Sequence, residues 1–155
     1  MKIPVWALLI FIILIMTGNE MKGEDIHLEA KKTLSVVELN QDDALHFTLK
    51  NGRTVDLKVL SYQTNLIFTT LEQLKKGDKG DGTIYSMSCK LKIDGQTMTL
   101  KRYVPVQKSF YEPYVVNGLR IWFDGLAELS EYFNENHGPC LPDKDVRFDF
   151  QDASM

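Results

Sequence analysis

Only two of the 155 residues are cysteine, Cys89 and Cys140, and only three are histidine, His27, His46 and His137. That scarcity removes most metal and nucleophile chemistry. A structural zinc takes four Cys or His ligands. The His137 and Cys140 spacing supplies two, and a Cys89–Cys140 disulfide accounts for the same residues. No G-x-S-x-G elbow, Walker A loop or H-E-x-x-H helix occurs. Basic clusters are equally sparse. The formal net charge is −3, and nothing is denser than Lys31-Lys32 or Lys75-Lys76. A chain without a basic stripe has no electrostatic footprint for nucleic acid, and no polybasic patch for a membrane surface.

What the chain does have is one long apolar run. Residues 3–16 are uncharged and almost wholly apolar, directly behind the single Lys2. A basic start followed by a short apolar core at the N-terminus is the pattern of a secretory signal. As a helix the run would reach roughly 21 Å, short of a hydrocarbon core of about 30 Å. The expectation is a signal peptide or an N-terminal membrane anchor over residues 1–18, with cleavage after Gly18 as the best site. In either case the remainder works outside the cytoplasm, secreted, periplasmic or tethered, and touches membrane only through that segment if it is retained. In such a compartment a lone cysteine pair reads as a disulfide between Cys89 and Cys140. The entropy of closing that loop corresponds to about 4 kcal/mol.

Residues 24–153 have the length of one domain. Their apolar residues recur with period two, the signature of half-buried strands. Leu45, Phe47 and Leu49 precede Asn51-Gly52, and Val55, Leu57 and Val59 follow it. A two-residue turn there would set Phe47 against Asp56 and mix the faces. A three-residue loop of Lys50, Asn51 and Gly52 pairs Phe47 with Val55 and puts Gly52 at the left-handed bulge position. At Asp94-Gly95 a two-residue turn pairs Leu91 with Met98 and Cys89 with Leu100. At Asn117-Gly118 it pairs Val116 with Leu119 and Tyr114 with Ile121. Further strands are expected over 26–30, 34–39 and 66–71, with a last one through Val146, Phe148 and Phe150. Leu126, Leu129 and Phe133 lie at i, i+3 and i+7, which predicts an amphipathic helix over about 125–135. The fold class is therefore mainly β, an antiparallel β-sandwich or barrel with one short helix.

The polar, Gly-rich segment 75–82 reads as a mobile loop. A calcium reading of it fails, because the twelfth position counted from Asp78 is Cys89 rather than Glu. Carboxylates for glycoside hydrolysis are present in number, with Glu112, Asp124 and Asp149 nearest to aromatic residues. The aromatic concentration around the third hairpin points elsewhere. Its register places Arg120 and Trp122 on one strand face, with Tyr111 across the hairpin. Tyr, Trp and Arg together are the composition of a binding hot spot. The competing reading has that face covered, with Trp122 as core.

The runs Val115-Val116-Asn117-Gly118-Leu119-Arg120-Ile121-Trp122-Phe123-Asp124 and Lys144-Asp145-Val146-Arg147-Phe148-Asp149-Phe150-Gln151-Asp152-Ala153 resemble a known module. It is the accessory β-domain that precedes the catalytic unit in exported zinc endopeptidases of the lysostaphin type, and the resemblance covers residues 34–153. Those enzymes hold zinc with an H-x-x-x-D element and a later H-x-H, and neither occurs here. The resemblance thus implies the accessory part alone, with no catalytic residue to carry over. The reading that results is an exported, non-catalytic β-domain that binds or scaffolds at the cell envelope or outside the cell. It needs no cofactor and no metal, and an envelope glycan or a protein is its partner. The alternative is a small extracytoplasmic hydrolase acting through Asp or Glu carboxylates. A third reading is an assembly protein that adds a strand to a sheet edge.

Overall fold

The computed structural model describes residues 23–68, 83–104, 112–131 and 141–155. The leader, the 75–82 segment, Tyr111, Phe133, His137 and Cys140 lie outside the described residues. Among the described residues nine strands run in the order β1 (Asp25–Glu29), β2 (Ser35–Leu39), β3 (Ala44–Thr48), β4 (Thr54–Phe68), β5 (Ile84–Ile93), β6 (Gln96–Val104), β7 (Tyr114–Val116), β8 (Leu119–Leu126) and β9 (Val146–Asp152). They form two sheets, β1-β3-β4-β5-β6 and β2-β9-β8-β7, with no closed barrel. All pairings are antiparallel except β1 with β3, which run parallel because the chain crosses to the other sheet as β2 between them. Among the described residues no helix is long and apolar enough to cross a membrane.

The turn chemistry decides the registers. Gly52 has φ 82°, Phe47 faces Val55 and Leu45 faces Leu57, so the first loop has three residues and ends in a left-handed glycine. The Leu49 N–H bonds the Arg53 carbonyl at 2.8 Å across that loop. Asp94-Gly95 and Asn117-Gly118 make two-residue turns with positive φ at both positions. That is the geometry which matches strand twist. Leu91 faces Met98, Cys89 faces Leu100, and Tyr114 faces Ile121, as the alternation requires.

The inward faces then interlock. Leu45, Phe47, Val55, Leu57, Met87 and Leu91 of the first sheet meet Val37, Leu39, Ile121, Phe123, Phe148 and Phe150 of the second, all buried. Phe47 and Phe150 lie 6.0 Å apart between ring centroids, joining the sheets, and Phe123 packs on Phe148 at 5.4 Å.

Two of the three register shifts among the described strands set what the alternation alone does not. In β4 the pairing shifts between Val59 and Ser61. Before it the odd residues Val55, Leu57 and Val59 are buried. After it the even residue Thr64 is buried, with Tyr62 and Leu66 half-buried. One extra residue, Leu60, flips the inward phase and lets β4 continue to Phe68. The strand expected over 66–71 is therefore the far end of β4 over its described residues.

The second bulge corrects the helix expected over 125–135. Gly125 and Leu126 still pair with Arg147 and Val146, so they belong to β8. Ala127–Glu131 form a 3₁₀ turn, not an α-helix. Leu126 and Leu129 are buried. An i, i+3 spacing suits three residues per turn as well as it suits 3.6, so the pattern did not discriminate.

Candidate functional site

The outer face of the β2-β9-β8-β7 sheet carries the residues singled out around the third hairpin. With Leu119, Ile121 and Phe123 directed into the core, Arg120 and Trp122 take the opposite face of β8. Both are half-buried. The β8–β9 pairing, which no local signal in the chain specifies, sets Asp149 opposite Trp122 and Gln151 opposite Arg120. On the other side of β9, Val36 lies opposite Asp149 and Glu38 opposite Arg147. One row across the face therefore reads Val36, Asp149, Trp122. Leu34, Val36 and Val115 are exposed at 47%, 63% and 65%, half of the large hydrophobic residues that stand exposed among the described residues.

A chain of alternating charges closes one end of this face. Arg147 donates to Glu38 Oε1 from Nη2 at 2.6 Å and from Nε at 2.9 Å. Its Nη1 lies 3.6 Å from Asp124 Oδ2. Arg102, reaching over from β6, donates to Asp124 Oδ1 and to the Phe123 carbonyl, both at 3.2 Å, and to the Asp124 carbonyl. Those carbonyls are displaced by the bulge between Phe123 and Gly125, and Arg102 satisfies them. The other oxygen of Glu38 accepts the Asp143 and Lys144 N–H groups at 2.8 and 3.2 Å. Arg147 beside it holds the Glu38 carboxyl below the usual carboxylate range, assisted by those two amides and opposed by burial. The network fixes the 141–145 turn against the sheet.

Asp149 stands apart from this network. Among the described residues it has no hydrogen-bond or ion-pair partner. Burial pushes its carboxyl up, the Asp124 charge adds to that, and Arg147 and Arg102 pull the other way. Arg120 is engaged, donating to Gln151 Oε1 at 3.1 Å and to the Met155 carbonyl at 2.8 Å. Of the three residues expected to bind, the structure thus places Arg120 and Trp122 on one face. Tyr111 lies outside the described residues. The sequence marks Asp149 only as a carboxylate near aromatics, and its position beside Trp122 depends on pairing between distant segments.

Three other clusters lie away from this row of residues. A groove of about 320 Å³ runs between the sheet edges, lined by Lys101, Tyr103, Glu112, Pro113 and Tyr114. The Tyr114 hydroxyl donates to the Lys101 carbonyl at 2.9 Å and accepts the Lys101 N–H at 2.8 Å, capping the open edge of β6 as a neighbouring strand would. Glu112 sits in this groove, away from the row through Asp149. His27 and His46 stack at 4.6 Å on neighbouring strands, with His46 Nδ1 2.7 Å from Asp56 Oδ1. An acidic hollow of about 660 Å³ includes Asp42, Asp43 and Asp145. The Asp43 carboxylate accepts the Glu24 and Asn40 N–H groups, so it holds backbone rather than a ligand. No set of three metal-ligating side chains converges among the described residues.

Cys89 is fully buried on the inward face of β5, as its hairpin register requires. Burial pushes its thiol up to about 12. Its expected partner, Cys140, lies outside the described residues. No protein-family model, no curated protein and no solved structure matches the chain.

Proposed function

We propose that this chain is an exported, non-catalytic β-domain that binds a partner at the cell envelope or outside the cell, through the outer face of the β2-β9-β8-β7 sheet. The observation that carries this reading is the composition of that face. A half-buried Trp122 shares this face with exposed Leu34, Val36 and Val115, and a charged network runs along one side. Apolar area ringed by ordered polar groups is the anatomy of a recognition surface. The apolar leader supports the extracytoplasmic location, as does the cysteine pair.

A single substitution tests the assignment. Trp122→Ala removes a side chain that is only partly withdrawn from water, so the loss of stability should be about 1–2 kcal/mol. Full burial would make it about 3–5 kcal/mol. Binding of the full chain to isolated envelope material, glycan and protein fractions separately, should weaken at least about tenfold. A large loss of stability with unchanged binding would make Trp122 core and refute the assignment.

A second reading, a small hydrolase, has one observation in its favour. Asp149 and Asp124 lie on the same face, and burial with the neighbouring Asp124 charge raises the Asp149 carboxyl. A carboxyl raised in this way is what a general acid of hydrolysis needs. Against it, the Asp124 carboxylate is already engaged by Arg102 and Arg147. Release of reducing sugar from envelope glycan that disappears in Asp149→Asn would decide for the hydrolase.

A further inference from the structure

We propose that the Asp149 and Trp122 pair receives a basic side chain, lysine or arginine, from a partner polypeptide. This inference rests on the outer-face reading above and names the chemistry of its partner.

The charges on the face are unequally satisfied. Arg147 is taken by Glu38 and Asp124. Arg102 is taken by Asp124 and two carbonyls of the bulge. Arg120 is taken by Gln151 and the Met155 carbonyl. Each of these three cations already has an acceptor, and among the described residues Asp149 has no donor. An anionic ligand would have to displace an existing partner. A cationic one would meet a carboxylate that burial has partly stripped of water and that no hydrogen bond or ion pair engages among the described residues.

The surroundings of that carboxylate fit such a ligand. Cross-strand neighbours in an antiparallel pair hold their Cβ atoms about 4.5–5.5 Å apart, so the Trp122 indole stands beside Asp149. An ammonium or guanidinium group bound there would combine a charge-assisted hydrogen bond with the attraction of an indole face. On the other flank Val36 is 63% exposed and Leu34 47%. They offer apolar contact to the methylene stem of a lysine or arginine and to aliphatic residues beside it. A neutral glycan would use the indole but would leave the charge of Asp149 unmatched.

The test uses the full chain carrying Trp6→Phe, which leaves Trp122 as its only tryptophan. Blocked tripeptides Val-Lys-Val, Val-Arg-Val and Val-norleucine-Val, and a neutral chito-oligosaccharide, are titrated while tryptophan emission is read. The lysine and arginine peptides should give a saturable change, with the norleucine peptide at least about tenfold weaker. Asp149→Asn should erase that preference. Equal affinity for the lysine and norleucine peptides overturns the inference, and this comparison needs no substitution within residues 24–153. Oligosaccharide binding that survives Asp149→Asn but not Trp122→Ala would also overturn it, while leaving the outer face as the binding surface. Self-association of the chain abolished by Asp149→Asn would replace the foreign peptide by a second copy and overturn it as well.

Discussion

Asp94 joins three hairpin turns through one carboxylate, and removing it should cost more than any exposed acid ordinarily does. Its Oδ1 accepts the Asp56 N–H at 2.9 Å. Its Oδ2 accepts Arg53 Nη2 at 2.8 Å and Asn117 Nδ2 at 2.7 Å. The residue also sits at φ 46°, where a side chain without a local acceptor is disfavoured. Asp94→Ala loses a charge-assisted bond to backbone, about 1.5 kcal/mol, and a side-chain bond of about 1 kcal/mol. The Arg53 pair adds less than about 1 kcal/mol, since Arg53 is half exposed. The left-handed backbone adds a few tenths more. The expected total is about 3 kcal/mol, a large share of the roughly 5–15 kcal/mol that holds a domain folded. Asp94→Asn keeps an acceptor and tolerates the same φ, so it should cost about 1 kcal/mol. Urea unfolding at low and high salt measures both. Salt should remove only the Arg53 share. An Asp94→Ala variant within about 0.5 kcal/mol of wild type would refute the reasoning. So would an Asp94→Asn variant as unstable as Asp94→Ala, because charge rather than turn geometry would then dominate.

Two further outcomes follow from the titratable groups. The Asp149 carboxyl is raised in the folded state, so its contribution to stability is complete at low pH and is lost as pH rises through the folded value. Asp149→Asn should therefore melt above wild type at neutral pH, and the gap should close below the ordinary carboxylate range. A gap that widens on acidification would contradict that sign. Protein exported from its native host should lack both thiol hydrogens of Cys89 and Cys140 by non-reducing mass spectrometry. Recovery of two alkylatable thiols after denaturation without reductant would refute the disulfide.

The hairpins were legible because glycine, asparagine and aspartate accept positive φ, and because only one loop length at each turn keeps the apolar residues on one face. The same reasoning lost β4 at Val59-Leu60, where the alternation changes phase. The two adjacent apolar residues mark a bulge inside a longer strand. The helix expectation fails over residues 125–131 for a related reason, since Leu126 and Leu129 satisfy a 3₁₀ turn equally well and Gly125 still belongs to a strand. At the site, local register sufficed to put Arg120 and Trp122 together. It could not supply Asp149 or Val36, which reach Trp122 through the β8–β9 and β9–β2 pairings of distant segments. The Tyr114 hydroxyl on the Lys101 backbone was hidden for the same reason. It spans the two sheets, and alternation within one strand carries no trace of it.

The outer face is the centre of the functional account, and covalent footprinting reads it directly. The full chain is labelled at carboxyl and indole side chains, alone and with envelope material, and each residue is quantified by mass spectrometry. Protection at Trp122 and Asp149 is expected, with Glu112 in the neighbouring groove and Glu29 on the far sheet labelled to the same extent in both samples. Unchanged labelling of Trp122 together with protection of Glu112 would place the binding surface in the groove between the sheet edges and contradict the account.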